Sequence, residues 1–158
     1  MLKWLGLSLV VFLLDQFSKW WVVKEFQLYE SIQLIPSLNF TYVHNTGAAF
    51  SFLSSAGGWQ RWFFVVASLI AIVFLLFWLK RLLVSERWLA ITLSLILGGA
   101  VGNLFDRIAY GYVVDFIDVY YQSWHWPVFN LADSAISVGV VMLLVDTFRG
   151  QASTKKAE

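Results

Sequence analysis

The chain has 158 residues, of which 59% are hydrophobic, 18% aromatic and only 13% charged, with a formal net charge of +1. That is about half the charged share of an ordinary soluble domain, so the composition describes an integral membrane protein with room for about four spans and no second soluble domain. The absence of cysteine excludes disulfides, thiolate metal sites and a cysteine nucleophile, and no Lys/Arg-rich block interleaved with aromatics points to nucleic acid.

From the N-terminus, Met1 to Leu14 imitates a secretory signal peptide, with Lys3 ahead of an apolar run. No small-x-small cleavage site follows, and the chain continues with charges and aromatics, so residues 4–23 are expected to form a retained first span. Asp15 and Lys19 lie four apart, on one helix face, where they can pair inside the span. Such a pair either neutralises itself and nothing more, or lines a polar cavity. Between Lys24 and Arg61 the hydropathy falls, and short apolar-polar alternation on either side of Pro36 predicts strands, giving an outer β-like segment over about 26–58. Asn45-Thr46-Gly47 has the residue types of a turn. Asn39-Phe40-Thr41 fits a glycosylation sequon, a pattern of low specificity.

Two uncharged stretches then predict spans at 62–79 and 88–106, and a fourth is expected at 131–148, followed by a disordered tail over 150–158. With four alternating spans, Lys3, Lys80, Arg81, Arg87, Arg149, Lys155 and Lys156 fall on one side, against Lys24 and Arg61 on the other. The positive-inside rule therefore places both termini in the cytoplasm. In the third span Ser94, Gly98 and Gly102 recur every four residues, a stripe that lets a neighbouring backbone approach closely. Asn103 and Arg107 share a face there, from which Asp106 is expected to point away. Asp133 enters the fourth helix in its first turns, where the dipole favours a carboxylate and a capping role would account for it.

Depth relates these polar residues to one another. At 1.5 Å per residue, Asp15 lies about 18 Å and Asn103 about 22 Å from the cytoplasmic edge, while Asp133 enters from the opposite edge by a turn or two. They converge on the outer leaflet, and Asp115, in the connection after the third span, needs only to fold back to meet Asp133. Ionisable residues at membrane depth are functional candidates by default. Two close carboxylates resist joint ionisation, which is the arrangement by which aspartyl proteases activate water. A transporter would show repeats or broken segments, which are not evident. A metal enzyme drawing on Asp106, Asp115, Asp118, Asp133, His44 and His125 lacks HExxH or similar ligand spacing.

The segments DQFSK (Asp15 to Lys19), HNTGAAF (His44 to Phe50), GNLFDR (Gly102 to Arg107), GYVVDFID (Gly111 to Asp118) and FNLADSAI (Phe129 to Ile136) together resemble the motif set of bacterial lipoprotein signal peptidase, signal peptidase II, an aspartyl membrane peptidase family. The resemblance agrees with a single membrane all-α domain of four transmembrane helices carrying a small β-rich segment on the outer, periplasmic side. It implies that Asp115 and Asp133 are the catalytic pair, and that Asp15, Lys19, Asn45, Gly47, Asn103, Arg107 and Asn130 support it or bind substrate. It implies no metal and no cofactor. The expected substrate is a diacylglyceryl-modified prolipoprotein cut before its lipidated cysteine. The expected setting is the bacterial inner membrane, with a monomer surrounded by membrane lipid.

The charge distribution makes a topological prediction. A reporter fused after Val84 should report cytoplasm and one inserted near Ser54 the outer side; opposite labelling would invert the assigned orientation and remove the site from the outer leaflet.

Overall fold

A computed structural model of the chain describes residues 2–47 and 57–154. After a short 3-10 turn at Leu2–Trp4, the elements run α1 (Leu5–Glu25), β1 (Ser31–Ile35), β2 (Leu38–Asn45), α2 (Trp59–Arg81), α3 (Arg87–Ala109), β3 (Val113–Tyr121), β4 (Trp124–His125) and α4 (Leu131–Thr154). All four α-helices are long and apolar enough to cross a membrane. Their outer surfaces are crowded with exposed Leu, Val, Ile, Phe and Trp, as expected where lipid replaces water as the solvent.

Helix α3 is the central helix, packing on α1, α2 and α4. Small residues make this possible. A side chain on Gly98 would meet Ser8 O at 2.7 Å, and one on Gly102 would meet Asp15 Oδ2 at 2.5 Å, so the Ser94/Gly98/Gly102 stripe is the seat of α1. Ser8 Oγ adds a hydrogen bond to Ser94 O at 2.8 Å. Gly99 faces the other way, against the Ala132 carbonyl and Ile136 of α4. At the α2–α3 hairpin end, Leu75, Leu79, Ala90, Leu93 and Leu97 form one buried cluster. At the opposite end Val22, Tyr42, Val114 and Phe116 form a second, between α1 and a sheet.

That sheet is antiparallel in the order β1-β2-β3-β4. Among the described residues, the β-like segment expected at 26–58 supplies β1 and β2, while the other two strands come from 113–125, where the sequence reading places no strand. The reason is compositional: Val113 to Tyr121 is dense in β-branched and aromatic residues, and a strand buried along most of its length lacks alternation. The register sets Val43 opposite Asp115 and Asn45 opposite Val113. The chain after β4 returns along β3, where Phe129 bridges Ile117. The rest of the expected outer segment, 48–56, lies outside the described residues. Helix α4 continues to Thr154, so residues 150–154 extend a helix where a disordered tail was expected; propagating an existing helix costs far less than nucleating one.

Helix ends at the sheet side carry specific chemistry. Arg61, in the first turn of α2, donates Nε–H to Arg107 O (2.8 Å) and Nη2–H to Ile108 O (2.9 Å), satisfying two C-terminal carbonyls of α3. The next turn passes through Gly111 at φ 86°, with the Arg61 guanidinium 3.2 Å from where a side chain would stand.

Close packing of α3 on α4 yields a prediction. Gly99→Ala should lower stability by about 1–3 kcal/mol, seen as a lower Tm in detergent, because the neighbours are backbone and a packed Ile. Gly6→Ala, with nothing within 4 Å, should leave Tm unchanged or raised. Equal Tm shifts for the two variants would contradict this packing.

Candidate active site

The site begins at the N-terminus of α4. Asn130 precedes the helix, and its Oδ1 accepts Asp133 N–H at 2.9 Å, while Asp133 Oδ2 reaches back to Asn130 N–H at 3.4 Å. This reciprocal pair is a capping box built from Asn and Asp. A third orphan donor, Ala132 N–H, is accepted by Asp15 Oδ1 from α1 at 2.9 Å. Capping therefore does account for part of Asp133, but only for one of its oxygens.

The other oxygen, Oδ1, accepts Asn103 Nδ2–H from α3 at 2.7 Å. Asp115 projects from β3 and is equally well supplied: Oδ1 accepts Asn130 Nδ2–H at 2.6 Å and Oδ2 accepts Asn45 Nδ2–H at 2.9 Å. Asn130 thus touches both carboxylates, and its amide also approaches Asn103 Oδ1 at 3.1 Å. Asn45 is oriented by Gly47 N–H, which donates to its Oδ1 at 2.9 Å. Gly47 in turn is held by Arg107, whose Nη2–H donates to Gly47 O at 2.9 Å while Nη1–H donates to Asn103 O at 3.2 Å. The guanidinium lies over the Phe64 ring, 5.3 Å from its centroid.

Behind this shell lies a buried ionic cluster. The Lys19 ammonium is 3% exposed and sits 2.8 Å from Asp15 Oδ2, 2.9 Å from Asp106 Oδ2 and 3.0 Å from Asn103 Oδ1. Three protons meet three acceptors. The expected Asp15–Lys19 pair is present, but as part of a larger group. Asp106 does not point away: it also accepts Gln16 Nε2–H (2.9 Å) and Val114 N–H (3.1 Å). Residues three apart on a helix are surface neighbours just as those four apart are, so Asp106 and Arg107 flank Asn103 on either side. All nine residues singled out in the sequence join one network with Asp106 and Gln16, two members that sequence reasoning missed.

Asp115 is 1% exposed. Burial, and then the charge of Asp133, push its titration up to about 7, against the hydrogen bonds from Asn45 and Asn130 and the charge of Lys19. Asp118, three residues on, belongs to another cluster. Burial opposes its ionisation, but donors from His125 (2.8 Å), Asn39 (3.0 Å) and Thr41 (3.2 Å) outweigh that and hold it below the usual range. His44 stacks on Tyr112 at 3.6 Å and meets Tyr42 Oη at 2.7 Å. Among the described residues no three His, Asp or Glu side chains gather as a metal-ligand set.

A cavity of about 430 Å³ opens beside Asp133, with Asn45 also on its wall and Trp126 to Phe129, Ile136 and Val138 supplying a mostly apolar lining. The arrangement offers two carboxylates, one of them poised to hold a proton near neutrality, fixed by amides beside a groove that suits an apolar chain.

A family model described as signal peptidase (SPase) II matches residues 7–149. The chain is similar to the lipoprotein signal peptidase of Alteromonas mediterranea, at 50% identity over 157 residues covering 99% of this chain and 85% of the relative. It is also similar to that of Pseudomonas aeruginosa strain PAO1, at 52% identity over 158 residues covering 99% and 94%. Among solved structures, a bacterial membrane enzyme determined by the in meso method at 2.3 Å aligns with a TM-score of 0.87 and 28% identity, covering 96% of this chain and 90% of the other.

The raised titration of Asp115 predicts a pH dependence of stability. Folded Asp115 keeps a proton until about pH 7, which the unfolded chain releases near its ordinary 3.8, so the contribution is full below about pH 4 and is lost as pH rises to about 7. The stability of the wild type relative to Asp115→Asn should therefore fall by a few kcal/mol at most between pH 4 and pH 8. Melting both proteins across that range checks it; a difference that is flat or rising with pH would contradict the assignment.

Proposed function

The chain belongs to the signal peptidase II family, and on that premise we propose that it is a membrane-embedded aspartyl endopeptidase that removes the signal peptide from diacylglyceryl-modified prolipoproteins, cutting before the lipidated cysteine. The observation that carries this reading is that Asn130 donates to the carboxylates of both Asp115 and Asp133, the latter on the wall of a mostly apolar groove. The groove takes the acyl chains and the apolar part of the signal peptide, and the carbonyl to be attacked comes to rest between the carboxyl groups.

The chemistry needs no covalent intermediate. The ionised carboxylate of the pair removes a proton from water as it attacks the carbonyl carbon, while the protonated partner donates to the carbonyl oxygen. Collapse of the tetrahedral species then returns a proton to the leaving nitrogen. The pair shares one proton near neutrality as a unit, burial and the charge of Asp133 pushing the titration of Asp115 up to about 7. Asn45, Asn103, Asn130 and Arg107 keep the carboxyl groups aimed; Gly47 links the Arg107 guanidinium to the Asn45 amide through its backbone. Both termini lie in the cytoplasm and the site faces the outer leaflet, where a lipid-anchored scissile bond is held at the membrane surface.

Asp115→Asn and Asp133→Asn should each abolish cleavage of a diacylglyceryl-modified precursor peptide by purified protein in micelles, with precursor binding retained, because the size is kept and only proton transfer is lost. If either variant turned over at more than a tenth of the wild-type rate, a barrier change below about 1.4 kcal/mol, the dyad would be wrong.

A further inference from the structure

Asp106 is 1% exposed, lies on α3 one turn beyond Asn103, and takes no part in the chemistry just described. Charge balance does not explain it. Lys19 is already matched one for one by Asp15 at 2.8 Å, and Arg107 gives its hydrogen bonds to the carbonyls of Asn103 and Gly47. A second buried carboxylate on the same ammonium is a cost unless its position does something.

Building on the peptidase reading, we propose that Asp106 is a positioning residue for the catalytic pair, holding Asp133 through Lys19 and Asn103 and holding Asp115 through the backbone of Val114.

The first arm works by fixing an amide. Asp106 and Asp15 bracket the Lys19 ammonium so that its third proton points at Asn103. An ammonium has no acceptor, so Asn103 must turn its oxygen towards Lys19, and its NH₂ is then left to face Asp133 Oδ1 at 2.7 Å. With that constraint loosened, the Asn103 oxygen keeps only the longer hydrogen bond from the Asn130 amide at 3.1 Å, and a flip, which would present a carbonyl oxygen to a carboxylate oxygen, is less strongly opposed. Asp133 would then lose its aim, although its own helix is undisturbed. The second arm is shorter. Asp106 Oδ2 accepts Val114 N–H at 3.1 Å, one residue before Asp115, and Val114 O accepts Asn130 Nδ2–H at 3.3 Å. One carboxylate on the central helix therefore registers the strand that carries Asp115 against the helix that carries Asp133.

The test is Asp106→Asn, which keeps the volume, leaves Lys19 and Asp15 as a balanced pair, and offers one oxygen where three donors were served. Cleavage of the diacylglyceryl-modified precursor peptide, binding of the same peptide and Tm are measured on protein in micelles. The expected result is a kcat at least tenfold lower, KM and Kd within twofold of wild type, and a displaced pH profile of kcat, since misaimed carboxyl groups lose catalysis and not binding. Asp106→Glu serves as the second variant, keeping a carboxylate beside Lys19 and the charge of the cluster; it should recover part of the lost kcat with a Tm no lower than that of Asp106→Asn. A kcat within tenfold of wild type in folded Asp106→Asn, or an Asp106→Glu no faster than folded Asp106→Asn, overturns the positioning role. Wild type and Asp115→Asn run in the same assay separate the two levels. An inactive wild type or an active Asp115→Asn counts against the peptidase reading itself, whereas a fast Asp106→Asn beside an inactive Asp115→Asn counts against this inference alone.

Discussion

The structure depends on a single ammonium group placed where water is scarce. Lys19 sits inside a span at 3% exposure, and the cost of removing a charge from water, several kcal/mol even after relaxation, is recovered only if every proton finds an acceptor. All three do, and the acceptors come from α1 itself and twice from α3. This arrangement fixes the rotation of α1 about its axis as well as its distance from α3. An apolar interface in lipid has little hydrophobic drive behind it, so polar contacts and close backbone approach are what remain to select one packing. The Gly98 and Gly102 approaches and the Lys19 cluster lie along the same α1–α3 seam.

The same seam delivers Asp15 to the start of α4. By accepting Ala132 N–H, Asp15 performs for that helix what a local cap performs in most proteins, and it leaves Asn130 free to cap Asp133 while spending its amide hydrogens on Asp115, Val114 and Asn103. Gly99 completes the junction by letting the α4 backbone come against α3. A helix start, a strand and two neighbouring helices are thereby fixed relative to one another without a disulfide or a large soluble core.

How much of this was legible in the sequence follows from what a membrane does to polar residues. Within apolar spans, Asp15, Lys19, Asn103 and Arg107 are conspicuous because each is expensive, and the helical rise alone brings them to one depth with Asp133. Their partners were less legible, because partnership is a matter of angle. A spacing of four marks Arg107 as a neighbour of Asn103, but the spacing of three to Asp106 marks a neighbour as well: the two lie about 40° and about 60° from Asn103 around the helix, on opposite sides. Strand β3 escaped for a different reason. A strand buried through its first four residues shows no alternation, and hydropathy alone cannot separate it from the end of a span. The Asp118–His125 contact joins side chains seven residues apart around a tight strand reversal, a geometry that no periodicity announces.

The choice of donors around the pair is the last constraint the fold satisfies. Among the described residues, the carboxylates of Asp115 and Asp133 receive three of four hydrogen bonds from the side-chain amides of Asn45, Asn103 and Asn130, and neither is bonded by Lys19 or Arg107 directly. A cation at bonding distance would stabilise the ionised form of each carboxyl and lower its affinity for a proton. An amide donates a well-aimed hydrogen without carrying net charge, so it sets geometry while leaving the proton balance to burial and to the mutual repulsion of the two carboxylates. The cations are kept one residue behind, where they orient the amides: Lys19 through the oxygen of Asn103, and Arg107 through Gly47 and so Asn45. This separation lets a buried site carry enough positive charge to hold two acids in a membrane protein, and still leaves Asp115 titrating at about 7.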